Sequence, residues 1–269
     1  MANFSIFGGH GFVGRHLATL LGASGHAVRV IGRDFPPHGE TLGHAVYAIG
    51  LTANFRARLS DAMRAHVCVL ADVLERYRFK SFLYLSSTRV YADATSTLES
   101  ASLSARPEFA DHVYNLSKMA GEALCLSQPQ GEYRVARLSN VIGRGAAPDN
   151  FLPSLLDEVH RTGKLVIRTS AQSSKDYIDV ADACMLLAHI AAGGQKRIYN
   201  VASGVNTTNQ AIADAIGAKL AAPFAFAPDA PTVSFPPIDV GRISNEFKFL
   251  PRPFAVSLSS LIESSEFLK

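Results

Sequence analysis

Phe4-Ser5-Ile6-Phe7-Gly8-Gly9-His10-Gly11-Phe12-Val13-Gly14 decides how this chain is read. A short apolar run of strand character leads into glycines at 8, 11 and 14, and Val13, Leu17, Leu20 and Leu21 then recur at helical spacing. In a strand–turn–helix unit the first glycine permits the tight turn, the second lets a pyrophosphate approach the backbone, and the third lets the helix pack on the strand. The free N–H groups of the helix N-terminus then face the phosphates. Gly8, Gly11, Phe12, Val13 and Gly14 are therefore candidate contacts for a dinucleotide. A glycine-rich turn with no ligand is the competing reading. The strand before it, the helix after it and a second strand at Ala27 to Ile31 argue against that.

Outward from there, the end of the second strand selects the cofactor. An acidic residue would bind the adenosine ribose hydroxyls of NAD, and an arginine would accommodate the extra phosphate of NADP. The sequence runs Val30-Ile31-Gly32-Arg33-Asp34. Arg33 favours NADP; Asp34, two residues off in register, is the rival and keeps NAD open. The next strand-like run, Ala45-Val46-Tyr47-Ala48-Ile49, follows after a connection containing Pro36-Pro37. That connection is too short for an ordinary helical crossover, which takes a dozen residues or more. One strand–helix unit is missing or reduced, and this edge of the sheet should be thin. Gly50-Leu51-Thr52-Ala53 is expected beside the cofactor. Residues 57–77 read as one helix, and Phe82-Leu83-Tyr84-Leu85 as a buried parallel strand ending in Ser86-Ser87-Thr88-Arg89-Val90-Tyr91.

Ala92 to Pro107 is polar and rich in small residues, and reads as a mobile loop over the site. Tyr114-Asn115-Leu116-Ser117-Lys118 opens a helix reaching about Ser127, with Tyr114 and Lys118 on one face at i and i+4. An ammonium near a phenol favours the phenolate, whose free pKa is about 10. A serine hydroxyl at a neighbouring strand end would hold a substrate oxygen beside the phenol, an arrangement for moving a proton on or off an alcohol or carbonyl oxygen. Ser87, Tyr114 and Lys118 are the candidate catalytic residues. Tyr91 has no lysine four residues on and reads as structural. Further strands are expected at Tyr133 to Leu138, Leu165 to Ile167 and Arg197 to Val201. Helices are expected at Phe151 to Arg161, from Val180 to about Ala192, at Thr207 to Leu220, and near Leu258 to Phe267. This alternation argues for an α/β fold with a doubly wound parallel sheet of Rossmann type.

Composition narrows the classes. The chain has 269 residues, 48% hydrophobic and 18% charged, with a formal charge of +3. No clustered basic face marks a nucleic-acid binder. Cys68, Cys125 and Cys184 are an odd number without metal-like spacing, all in apolar helical patterns; they read as buried free thiols in a reducing compartment, and no metal is expected. The N-terminus lacks a charged n-region and runs directly into the glycine motif, as a strand rather than a signal peptide. The longest apolar run, around Ala183 to Ala192, is too short to span a bilayer. The reading is a soluble, cytoplasmic protein.

At this point the chain resembles the extended short-chain dehydrogenases/reductases, the NAD(P)-dependent epimerase/dehydratase group that works on nucleotide sugars. The resemblance rests on Gly8-x-x-Gly11-x-x-Gly14, Ala48-Ile49-Gly50-Leu51, Leu85-Ser86-Ser87-Thr88-Arg89-Val90-Tyr91, Tyr114-x-x-x-Lys118, Arg137 to Gly143, Asp176 to Asp182 and Tyr199-Asn200-Val201. It implies that Ser87 and Tyr114 are the catalytic hydroxyls, and that Lys118 lowers the tyrosine pKa and holds the nicotinamide ribose. It further implies that Gly50, Leu51, Leu138 and Ser139 lie along the cofactor, and that Ser87, Thr88 and Asn140 meet the substrate. Residues 1–145 and 171–203 would form the dinucleotide-binding domain, and 146–170 and 204–269 a smaller substrate lobe. Relatives often dimerise through the tyrosine helix and the helix before the serine strand, so a homodimer is expected.

The departures bear on chemistry. Dehydratases of the family carry an Asp-Glu pair after the catalytic residue, where this chain has Thr88-Arg89, which discounts dehydration. Two enzymatic readings remain: a reductase using NADPH on a keto sugar with Tyr114 as general acid, or an epimerase that oxidises the sugar transiently. A non-catalytic NADP-binding sensor is the third, disfavoured because Ser87, Tyr114 and Lys118 are all present. Lys175 and Arg242 are candidates for substrate phosphates. His10 and His66 are expected near the cofactor without a chemical role.

Overall fold

The computed structural model describes residues 1–51, 55–128 and 132–264. Thr52 and Ala53, expected beside the cofactor, and the end of the last expected helix lie outside them. In chain order the elements are β1 (Asn3–Phe7), α1 (Phe12–Ala23), β2 (Ala27–Ile31), β3 (His44–Tyr47), α2 (Leu59–Met63), a π-helical turn (Arg64–Cys68) and α3 (Val69–Arg76). Then come β4 (Ser81–Ser87), a 3₁₀ turn (Thr88–Tyr91), α4 (Ala110–Leu126), β5 (Glu132–Leu138), β6 (Asn140–Ile142), α5 (Phe151–Thr162), β7 (Leu165–Ile167) and β8 (Ser174–Asp179). The chain continues with α6 (Val180–Gly193), β9 (Ile198–Val201), β10 (Asn206–Thr208), α7 (Asn209–Leu220), β11 (Phe224–Phe226), α8 (Gly241–Phe247) and α9 (Phe254–Ser264).

The main sheet has six strands in the order β2-β1-β3-β4-β5-β9, and every pairing is parallel. Alternate residues point to opposite faces, and both faces are covered, so the strands are apolar nearly throughout. Ile6, Val46 and Leu83 face α1 and α6, packing with Leu17, Leu21 and Leu186. Phe7, Tyr47 and Tyr84 face α3 and α4, packing with Leu70, Val73 and Cys125. A third core is built from α5, α7 and α9 around Leu155, Ile212 and Leu258. The sheets β10-β8-β6 and β11-β7 are separate from the main one.

The missing unit is real. β2 is one of the two edge strands, and the chain crosses from it over β1 to β3 with no helix between. Three other expectations change. The helix over 57–77 is interrupted by the π turn, because one extra residue per turn is accommodated at Arg64–Cys68. The Tyr47 hydroxyl donates to the Ala65 carbonyl there at 2.6 Å. The segment read as a mobile loop is anchored: Thr97 Oγ1 donates to the Pro237 carbonyl (2.8 Å) and the buried Glu99 accepts from the Asn200 amide (3.1 Å). Cys68 is exposed, because the π turn rotates it off the buried face, whereas Cys125 and Cys184 are buried; all three are free thiols. Among the described residues no helix is long and apolar enough to cross a membrane.

The glycine motif can be tested directly. A Cβ on Gly14 would sit 2.8 Å from Gly9 Cα and still closer to the Gly8 carbonyl oxygen, both backbone atoms that cannot swing aside. Gly8 itself has φ +76°, a left-handed conformation that a side chain strains. Gly14→Ala should push α1 off β1, costing about 1–3 kcal/mol in urea denaturation and weakening NADPH in a fluorescence titration.

Candidate active site

A cavity of about 310 Å³ opens at the C-terminal ends of the main-sheet strands, where parallel α/β sheets place their ligands. Gly11 to Gly14 form one end of it, Ser87 and Tyr114 the middle, and Lys175 and Phe235 the other. Gly50, Thr88, Lys118, Leu138 and Asn140 line it as well. The glycine end suits a dinucleotide. Gly11 caps α1 without a side chain, so the first-turn N–H groups are open to a phosphate, and the bare glycines let it approach the backbone. Gly8 and Leu51 border the cavity without lining it, and Arg33 is exposed just beyond β2. Gly32 lies against the His10 ring on that side.

One strand end and one helix bring the hydroxyls and amine together. Ser87 closes β4, and its Oγ accepts from the Arg89 amide at 3.3 Å, capping the 3₁₀ turn. Tyr114 and Lys118 project from α4, which packs on β4 and β5. Burial pushes the Tyr114 phenol above its ordinary pKa, and the Ser87 hydroxyl and the Arg89 guanidinium pull it partly back. Lys118 Nζ donates to the Leu85 carbonyl at 2.9 Å, and Arg89 is the charge that draws the Tyr114 phenol down. Burial brings the Lys118 ammonium itself down to about 7, partly offset by Glu122.

His66 is a positioning residue whose role the sequence did not disclose. The Ser117 hydroxyl donates to the Tyr114 carbonyl at 2.7 Å, so its one proton is committed. His66 Nδ1, 2.8 Å from Ser117 Oγ, must therefore carry the ring proton, leaving Nε2 to accept from the Leu51 amide at 3.3 Å. Burial, with the Lys118 charge second, depresses its pKa and keeps the ring neutral. The π turn thus ties the loop after β3 to the helix that carries Tyr114.

The other polar residues sort by geometry. Asn140 Nδ2 donates to the Asp176 carbonyl at 2.7 Å, joining β6 to β8 at the cavity wall. Asp176 is the single acidic residue among the described lining residues. Its carboxylate is occupied by the Ser203 amide and hydroxyl and the Gly204 amide. Tyr91 is buried, accepting from Arg137 (2.7 Å) and donating to Asn200 (2.9 Å), as a structural group would. Arg242 lies off the cavity, near Glu99 (3.5 Å) and donating to the Ile198 carbonyl, which removes it from the phosphate candidates. Phe55 and Phe235, which nothing in the sequence singled out, flank Arg89 with ring centroids at 5.1 and 5.6 Å.

Comparison with known proteins agrees with this geometry. The family model for the NAD dependent epimerase/dehydratase family matches residues 41–202. No curated protein sequence is significantly similar to the chain. Among solved structures, TunA, described as an NAD-dependent NDP-hexosamine 5,6-dehydratase of tunicamycin biosynthesis, superposes with a TM-score of 0.77 at 20% identity over 98% of both chains. MoeE5, solved with UDP-glucuronic acid and NAD, gives 0.79 at 20% identity over 97% of this chain and 98% of its own. RMD from Pseudomonas aeruginosa, solved with NADPH, gives 0.79 at 19% identity over 97% of this chain and 98% of its own. With its parallel sheet, glycine turn and Tyr-x-x-x-Lys helix on an extended short-chain dehydrogenase/reductase frame, the chain is an NAD(P)-dependent enzyme that belongs to the NAD-dependent epimerase/dehydratase family.

Proposed function

We propose that the protein is a reductase acting on a carbonyl carbon of a nucleotide-linked sugar, with NADP as cofactor. The observation that carries this reading is the state of Tyr114. Tyr114 lies beside Ser87 in the middle of the cavity that begins at the glycine turn, and burial favours its protonated phenol, the form a general acid needs. The cavity also lacks a free carboxylate among the described residues, so the acid–base pair needed to eliminate water is not there. A bound nicotinamide would supply the hydride. Ser87 would orient the substrate oxygen by hydrogen bonding, and Tyr114 would deliver a proton to that oxygen as negative charge builds on it. Lys118, held by Leu85, would position the nicotinamide ribose; Gly11 to Gly14, Gly50 and Leu138 would hold the rest of the dinucleotide.

Residues 1–145 and 171–203 would bind the dinucleotide, and 146–170 and 204–269 would close over the sugar. Asn140 and Lys175, both lining the cavity, would meet the phosphates of a nucleotide sugar. The complexes of MoeE5 with UDP-sugars support that substrate class. Three free thiols support a reducing, cytoplasmic setting. A homodimer would use the outer faces of α2–α3 and α4, where Met63 is exposed.

The test is a fluorescence titration with NADPH and NADH, followed by a screen of 4-keto nucleotide sugars. NADPH should bind tightly and exchange freely, and Arg33→Ala should weaken NADPH about tenfold while leaving NADH unchanged. NAD that stays bound through purification would instead favour Asp34 and an epimerase. Failure to bind either cofactor would sink the enzymatic reading.

A further inference from the structure

The cavity's charges are unbalanced at its reacting end. Among the described lining residues its cations are Arg89, Lys118 and Lys175, and its one carboxylate, on Asp176, already accepts three hydrogen bonds. Lys118 is used by the Leu85 carbonyl. Arg89 is different. It lies near the rings of Phe55 (5.1 Å), Phe235 (5.6 Å) and Tyr114 (5.8 Å), a half-buried cation among aromatic neighbours. Such contacts steady a cation without neutralising it. Arg89 Nε is buried and has no hydrogen-bond acceptor among the described residues. The acidic group whose field it shares, Asp111, is held by Arg56, from Nε to Oδ1 at 2.7 Å and from Nη2 to Oδ2. Burial and the neighbouring Arg89 and Arg56 charges depress the Lys175 ammonium, the mark of a site with excess positive charge.

An arginine held among rings, with its Nε short of an acceptor, can meet a planar anion with two parallel hydrogen bonds. We infer that Arg89 forms a carboxylate subsite beside Tyr114, and that the sugar this enzyme takes is an acidic one, a nucleotide-linked uronic acid or a sugar bearing a comparable carboxylate near the reacting carbon. The inference rests on the nucleotide-sugar reading above and narrows it. A neutral sugar would place a hydroxymethyl group where Arg89 needs an anion, leaving the guanidinium desolvated and unpaired. The 5.8 Å from Arg89 to the Tyr114 ring sets the subsite beside the proton donor, in the middle of the cavity.

The experiment is calorimetric titration of the full chain loaded with NADP, using UDP-glucose against UDP-glucuronate and GDP-mannose against GDP-mannuronate. The wild type should bind the uronide of one pair at least about tenfold more tightly than its neutral partner, equivalent to 1.4 kcal/mol. Arg89→Met, which keeps the stem between the rings, should lose that preference while holding the neutral sugar within about twofold. Equal binding of uronide and neutral sugar by the wild type overturns the carboxylate subsite and leaves the nucleotide-sugar reading standing. So does an Arg89→Met variant that loses both sugars equally, since Arg89 would then only brace the rings. Silence of all four ligands beside normal NADP binding overturns the nucleotide-sugar reading, and the subsite with it. The wild-type comparison needs no variant to fold.

Discussion

Tyr114→Phe should lower turnover by about 10²- to 10⁴-fold, the range for removing a positioned general acid, while NADPH affinity stays within twofold of wild type. The asymmetry follows from where the atoms lie. The ring of Tyr114 packs on Phe55 at 4.6 Å and against Arg89, and a phenylalanine keeps both contacts. Only the hydroxyl is lost, and with it the proposed proton donor. The glycine end of the cavity is untouched, so the dinucleotide should not register the change. Single-turnover assays and cofactor titration on the same preparation separate the two effects. Retained turnover would move the acid elsewhere. Tyr91 is a poor substitute, because it is fully buried outside the cavity and bonded to Arg137 and Asn200.

Glu122→Ala should destabilise the fold by about 3–5 kcal/mol, as expected when one member of a buried ion pair is removed. Glu122 and Arg137 are almost fully buried, and Arg137 approaches the carboxylate with Nη2 at 2.7 Å and Nε at 3.0 Å. Glu122 also accepts from Ser86 at 2.6 Å, and Arg137 passes the network on to Tyr91. Removing the carboxylate strands the guanidinium and the Ser86 hydroxyl together. The double change Glu122→Leu with Arg137→Met should recover most of the loss, because no charge is then buried unpaired. Urea denaturation of the two variants reads this out. If the single variant loses less than 1 kcal/mol, water reaches the pair and the network is not what holds β4, β5 and α4 in register.

Much of this architecture was legible because it is local. The glycine turn between β1 and α1, the missing unit after Arg33, and the pairing of Tyr114 with Lys118 on one helix face all follow from residues close in sequence. What was hidden depends on contacts between distant segments. Nothing in residues 57–77 announces a π turn, since apolar residues continue on both sides of it and the irregularity is sustained by Tyr47 and by α4. Gly121 gives the hint afterwards: a Cβ there would lie 2.7 Å from the His66 carbonyl oxygen, so the helices need a bare backbone at that point. The segment from Ala92 onward looked free because Thr97 and Glu99 are polar, and their partner, Asn200, lies more than a hundred residues away in sequence. Arg89 was read for what it replaced, an acidic pair, and its own surroundings became visible only once Phe55 and Phe235 were folded around it.

The absent unit beyond β2 leaves a mark on how the molecule meets others of its kind. Elsewhere in the main sheet, from β1 to β5, each strand has a neighbour on both sides, but β2 presents one row of N–H and C=O groups to solvent along Ala27 to Ile31. Such a row is a template onto which a foreign strand can add. Val30 stands partly exposed there, which would make the addition favourable. Arg29, exposed in the middle of the strand and paired with Glu40, places charge where an incoming strand would have to desolvate it, and Pro36-Pro37 supplies no donors in the segment that follows. The open side of the shortened sheet is thus guarded by the Arg29–Glu40 ion pair, whose charges an added strand would have to strip of water.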